Sequence, residues 1–572
     1  MLVLALFAVV EAQQPSFLPT ELGDRSQPIE VQECHSGTWS CQAWENLAFE
    51  DDDDDDSARF CADYNNAYKK PRKMVGMVVF AAIVMCLMAF NIGANDVANA
   101  WATSVGSGAI GLARGTLIAG VANLVGAVAL GSGVSTKVAT AVSDIKDDSC
   151  WKCGYCDSRM TVYMLGMTTA LVGASIFMLL ATFTKMPVST SHAIVGGIVG
   201  VTMAGVGSSC VDWTYGGMLG IVLSWVISPA LSGLIAAGTY LGTKIAIIDS
   251  PDPLARARAF MPFLYGAVAF AMTLIVAIKS NGIKHLHLAE WVPYVAAACS
   301  GALALFVGIA VSLFTLADVR GLRTRADERA LQKRQSVMNP IPFPGRSEDP
   351  ERLFEMRASA TFHDAFKAAT EQDDIGDHAA NVDVIRGKKV TDSVKDAIYC
   401  FKYVLVFNAT LESFAHGAND TANSTAAFTA VYSTFKENLS NCSQKPTSVA
   451  IMFVGGLFIC AGVYSLGYKV IETVGKNLTI VDFHTAWCTE FASTTTVVVA
   501  TVLEMPVSTT HCQIGAVTAI GAVSLGVDKV NWSELGKIVV SWILTLPFAG
   551  MLAAVLMLMF RPALCSSCPW ND

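Results

Sequence analysis

The heptapeptide GANDVAN at residues 93–99 returns as GANDTAN at 417–423, and each copy lies inside apolar sequence of membrane-spanning character. An aspartate at the centre of a membrane helix costs roughly 2.5 to 3.5 kcal/mol on insertion scales. Two Asn-Asp pairs among Gly and Ala therefore point to a polar site at membrane depth. Their duplication points to two halves that contribute equivalent groups to it.

Apolar runs at 74–90, 111–130, 161–183, 216–243, 291–317, 447–466 and 536–560 approach or exceed the length that crosses a bilayer. Shorter runs at 188–206, 261–278, 399–415, 484–503 and 511–527 bring the expected number of spans to about twelve. Only 15% of the 572 residues are charged, far below a soluble domain. The expected class is an all-α polytopic membrane protein. The net charge of −9 owes much to Asp51–Asp56 in a solvated N-terminal run and gives no reason to expect a nucleic-acid partner.

Residues 1–12 resemble a secretory signal, which leaves 13–73 as an extracellular acidic tail before the first membrane half at 74–317. The polar stretch 318–398 opens with Arg320, Arg323, Arg325, Arg329, Lys333 and Arg334, the mark of a cytoplasmic face. It is expected to be a linker loop, with an amphipathic segment at 351–370. A second half follows at 399–560, then an extracellular tail at 561–572. Seven spans before the loop and five after it agree with outward termini. Ten cysteines then face outward. Some of Cys34, Cys41, Cys61, Cys150, Cys153 and Cys156 are expected to form disulfides that hold the N-terminal segment to the loop before the third span. Sequons at Asn438 and Asn441 fall in an outward loop.

The duplication extends beyond the heptapeptide. Asp420 follows Asp96 by 324 residues, PVSTTH (506–511) follows PVSTSH (187–192) by 319, and Trp542 follows Trp225 by 317. On this topology the repeats are inverted, which places a site at their interface near the midplane and gives alternating access. Asn95, Asp96, Asn419 and Asp420 supply hard oxygen ligands for a cation. Ser189, Thr190 and Ser191, with Ser508, Thr509 and Thr510, are placed to open two helices and offer hydroxyl and N–H donors to an anion. For His192 and His511 three roles are open: orienting neighbours, donating to the anion, or packing. Together these groups imply cation-coupled anion uptake, with phosphate, sulfate and carboxylate all open.

The segments NIGANDVANAWATSVGSGAI (91–110), KMPVSTSHAIVGG (185–197), HGANDTANSTAAF (416–428), GYKVIETVGKNLT (467–479) and EMPVSTTHCQIGA (504–516) resemble the sodium-dependent inorganic phosphate transporter family (PiT, solute carrier family 20). The resemblance implies twelve spans, reentrant hairpins about the site, a homodimer and sodium-coupled phosphate symport at the plasma membrane. It also implies that Asp96, Asn99, Asp420 and Asn423 bind sodium and phosphate, and that the two hydroxyl runs bind phosphate. Sodium enters as a co-transported ion, and no cofactor is expected. Glu472 matches a glutamate that many members carry in both halves; Thr136 stands at the first-half position, so Glu472 is expected to act in coupling without a substitute. The competing readings are another oxyanion such as sulfate, proton coupling, and a phosphate sensor that does not transport. No nucleophile–base pair or catalytic metal spacing suggests an enzyme.

Overall fold

A segment in hydrocarbon must satisfy its backbone N–H and C=O groups internally, which favours helices. In the computed structural model every element among the described residues is helical, and none is a strand. The structure describes residues 71–140, 159–279, 291–338, 390–437, 447–471, 482–503 and 507–564, with isolated positions at 142, 143, 145, 150, 151, 289 and 505. The expected signal, the N-terminal tail, the 351–370 segment, Asn438, Asn441 and Glu472 lie outside these residues.

The first half contains α1 (Val75–Gly106), α2 (Leu112–Thr140), α3 (Met160–Phe183), α4 (Thr190–Gly205) and α5 (Met218–Thr243). Then come α6 (Pro253–Lys279), α7 (Val292–Met338) and the short α8 (Asp392–Tyr399). The second half contains α9 (Phe401–Glu437), α10 (Val449–Leu466), α11 (Phe483–Val502), α12 (Thr509–Ser524) and α13 (Trp532–Phe560). The repeat is thus five helices against five, with α6 to α8 between them. Helix α7 runs past residue 317 into the expected linker, through a stretch rich in Ala, Leu, Arg, Gln and Glu, all good helix formers.

The halves do not sit side by side. Helix α2 packs on α9 and α10 on α1; α4 packs on α13 and α12 on α5. Each pairing is the other with the halves exchanged. Glycines on both partners, Gly126 and Gly462 as well as those of the GAND strings, allow two of these crossings. A Cβ at Gly93 would lie 2.0 Å from the Ile459 carbonyl oxygen of α10, and one at Gly417 would lie 2.0 Å from the Asn123 carbonyl oxygen of α2. The Gly of each GAND string is therefore a contact between backbones, which no side chain could replace without displacing a helix.

Among the described residues seven helices are long and apolar enough to cross a membrane. Of the five further spans expected, 261–278 falls in α6, α9 and α11 carry buried Glu, His, Asp and Thr side chains that lower their hydropathy, and α4 and α12 are sixteen residues each. Large apolar residues such as Leu234, Phe263, Phe306 and Ile543 are exposed, as the flanks of an integral membrane protein require.

The described disulfide joins Cys150 to Cys210, tying the loop before α3 to the turn after α4. Cys150 is therefore not one of the cysteines that hold the N-terminal segment: its partner lies in the first half. Beside it, Trp151 is fully buried, donates to Ser143 Oγ at 2.8 Å and meets Tyr163 edge to face. Cys34, Cys41, Cys61, Cys153 and Cys156 lie outside the described residues.

Candidate functional site

Helices α4 and α12 begin at the two hydroxyl runs. Ser189 caps α4 by accepting the His192 N–H, and Ser508 caps α12 by accepting the His511 N–H. The first turns then approach each other crosswise. Ser191 Oγ donates to the Val507 carbonyl at 3.1 Å, and Thr510 Oγ1 donates to the Val188 carbonyl at 3.2 Å.

The asparagines of the GAND strings reach across in the same way. Asn99 Nδ2 donates to Thr509 Oγ1 at 3.1 Å and Thr510 Oγ1 at 2.9 Å. Asn423 Nδ2 donates to Thr190 Oγ1 at 3.0 Å and Ser191 Oγ at 3.1 Å. Each half's asparagine therefore serves the other half's hydroxyl run. All these side chains are buried.

Asn95, expected as a cation ligand, also makes structural contacts. Its Nδ2 donates to Thr182 Oγ1 at 3.2 Å and to the Met186 carbonyl at 3.0 Å, while its Oδ1 accepts the Val188 N–H at 3.2 Å. It braces the turn between α3 and α4. Asn419 repeats one contact, donating to Thr501 Oγ1 at 3.3 Å, and leaves its Oδ1 without a hydrogen bond.

Asp96 and Asp420 are 1% and 0% exposed, and they converge. With His416 they offer ligand atoms all within 4.8 Å of one another, close enough to hold one ion. His416 Nε2 lies 3.0 Å from Asp420 Oδ2 and 4.0 Å from Asp96 Oδ2. Its Nδ1 lies 2.5 Å from Asn123 Oδ1, which fixes the ring. Asp420 also accepts from Thr509 Oγ1 at 2.8 Å and from Asn423 Nδ2 at 3.2 Å. Neither Asp96 oxygen has a hydrogen bond meeting ordinary geometry. Two carboxylates at this depth require positive charge between or beside them.

The sequence reading missed a second polar cluster on the second-half side. Ser493 Oγ donates to Glu412 Oε1 at 2.5 Å and Thr494 Oγ1 to Glu412 Oε2 at 3.3 Å. Thr103 Oγ1 and Gln513 Nε2 donate to Glu490 Oε1, the latter at 3.3 Å. Glu490 Oε2 and Gln513 Oε1 are buried without hydrogen-bond partners. A sequence signal did exist. Shifting by the repeat spacing sets Glu412 against Met88, His416 against Ile92, Glu490 against Leu171 and Gln513 against Ile194. Polar residues opposite apolar ones in a duplication mark what is added to the shared frame.

The family model for the phosphate transporter family matches residues 92–553, which include both GAND strings and both hydroxyl runs. The chain belongs to the phosphate transporter family. That family is one of permeases, not an enzyme class. A protein of Pyrococcus horikoshii with the provisional name phosphate permease is 30% identical over 479 residues, covering 84% of this chain and 96% of that one. The phosphate-repressible phosphate permease of Neurospora crassa is 25% identical over 580 residues, with the same two coverages. A solved structure titled the sodium-dependent phosphate transporter matches with a TM-score of 0.65 and 27% identity, covering 85% of this chain and all of that one. The residues that meet here are thus those of a phosphate transporter family member, and the crosswise hydroxyl and asparagine contacts lie within the matched range.

Proposed function

We propose that this chain is a sodium-coupled symporter of inorganic phosphate that works by alternating access. The observation that carries the reading is the crosswise site: two capped helix starts and two asparagines, exchanged between halves, beside a pair of buried aspartates. Helix N-termini and hydroxyls favour an oxyanion. Aspartates repel one, so the anion needs a cation beside it. Sodium on Asp96 and Asp420 supplies that charge, and Asn99, Asn423, Ser189, Thr190, Ser191, Ser508, Thr509 and Thr510 hold the phosphate. Sodium then raises phosphate affinity, and phosphate raises sodium affinity by the same factor. The Glu412 and Glu490 oxygens lie on the second-half side and extend the cation ligands there. The similarity to a sodium-dependent phosphate transporter supports this choice of ion over a proton.

The same reading puts the termini outside, the loop 318–398 in the cytosol and the protein at the plasma membrane as a homodimer, with the repeats inverted. Labelled-phosphate uptake in sodium against choline, with sulfate as competitor, tests it. Uptake that needs sodium and resists sulfate supports the reading. Equal uptake in choline, or loss to sulfate, rejects it. Binding with no accumulation would leave a sensor. Protease added to intact cells should spare 318–398; cleavage there would overturn the orientation.

A further inference from the structure

The rings of the two motif histidines are engaged with tryptophans. His192 lies on Trp225 and His511 on Trp542, each pair with ring centroids 3.7 Å apart. The two histidines meet edge to face at 4.5 Å. Each ring stacks within its own half, yet its Nδ1 reaches into the other. His511 Nδ1 lies 3.0 Å from the Trp225 carbonyl oxygen, and His192 Nδ1 lies 3.4 Å from the Trp542 carbonyl oxygen. A carbonyl oxygen only accepts, so Nδ1 carries the proton in both contacts.

The Trp225 carbonyl is free for a reason written in the sequence. In a helix it would accept the N–H of residue 229, but that residue is Pro229, inside α5, and proline has no N–H. His511 supplies the missing donor from α12. One turn further along α12, a Cβ at Gly515 would lie 2.3 Å from the Pro229 carbonyl oxygen, so the two backbones touch at the break. Gly196 of α4 repeats the approach against the Leu546 carbonyl of α13 at 2.4 Å. The copy is not complete. Pro547 follows Trp542 by five residues, so Leu546 still offers an N–H to the Trp542 carbonyl, and the His192 contact is the longer one.

We propose that His511 is a positioning residue that replaces the backbone hydrogen bond missing at Pro229. The His192–His511 pair latches each hydroxyl-bearing helix to the proline-broken helix of the opposite half. His511 adjoins Thr509 and Thr510, so a shift at the break in α5 moves the hydroxyl run directly. The proposal rests on the transport reading only for its activity readout.

The test is a double-mutant cycle on the full chain, read by phosphate uptake and by melting temperature of the purified protein in detergent. His511→Phe keeps a stacked ring and loses the donor; it should lose about tenfold in uptake and melt lower. Pro229→Ala restores an N–H to the Trp225 carbonyl. The double variant should match Pro229→Ala alone to within about twofold and recover its melting temperature. His192→Phe should lose less than His511→Phe. Additive losses in the double variant, or a rise in KM that Pro229→Ala does not relieve, overturn the proposal and make His511 a ligand or a packing residue. If His511→Phe does not fold, His511→Asn keeps a donor near Nδ1: retention of most uptake supports the latch, and loss of uptake rejects it. Should the wild type carry no phosphate, the transport reading fails while the melting cycle still decides the latch.

Discussion

Around the aspartates the two halves use one frame with different contents. At the positions that the repeat spacing pairs, the first half carries Met88, Ile92, Leu171 and Ile194, all buried. The second half carries Glu412, His416, Glu490 and Gln513 there, also buried. Apolar residues fill the first set of positions without loss of fold, so the frame does not need polar groups there. Burying them adds an electrostatic cost that only a bound cation or a fixed partner offsets. The hydroxyl runs and asparagines, by contrast, are reciprocal. On the function proposed above, the anion would be held symmetrically between the halves, and the added cation ligands would come from the second.

The largest effects should ignore this asymmetry. Asp96→Asn and Asp420→Asn keep size and remove charge. Each should reduce phosphate uptake by about a hundredfold or more at normal surface expression, since each removes a charge from a desolvated pair. Uptake with unchanged sodium dependence in both variants would make the GAND strings packing elements and break the comparison at its centre.

Next come the unmatched residues. Glu490→Gln should lower uptake by about tenfold or more and weaken sodium activation, whereas Leu171→Met, its first-half counterpart, should stay within about twofold. Comparable losses from the two would mean that Glu490 serves packing. His416→Ile copies the first half directly; titrating uptake with sodium should show weaker activation, because the ring that separates the aspartates is gone.

In the shared frame the effects should be equal between the halves and should fall on stability. Gly93→Ala and Gly417→Ala each force a methyl into a backbone carbonyl 2.0 Å away, and should destabilise by about 3 kcal/mol, measured by denaturation in detergent. A large difference between them would show that the two crossings are not equivalent. Ser189→Ala and Ser508→Ala should each cost about 1 kcal/mol of stability as lost caps, the smallest stability change expected.

Much of this was legible from the residues. Runs of apolar side chains announce helices in a bilayer, because hydrocarbon leaves backbone groups no partner outside the segment. Two nearly equal spacings, 324 and 319 residues, announce a duplication, and Ser before Thr-Ser-His or Thr-Thr-His announces a helix start. His416 was visible as well, one turn before Asp420, but nothing local separates it from a packing residue. The bracing contacts of Asn95 were not legible because they reach the end of α3 and the turn after it, 87 or more residues away. The pairing of Cys150 escaped for a similar reason: spacing lists candidate partners, and only the path of α3 and α4 brings Cys210 to it.

The sequence by itself therefore determined the helical class, the two repeats and the chemical character of the polar groups, since each follows from side-chain type and spacing along one segment. Tertiary structure alone decided which groups meet. A helix face carries no label for its partner, and the partners here belong to opposite halves: Asn99 with Thr510, Asn423 with Ser191, His511 with the carbonyl that Pro229 leaves open. Those contacts join residues hundreds of positions apart, and they exist because small residues at the crossings let the backbones come close enough for short polar side chains to bridge them.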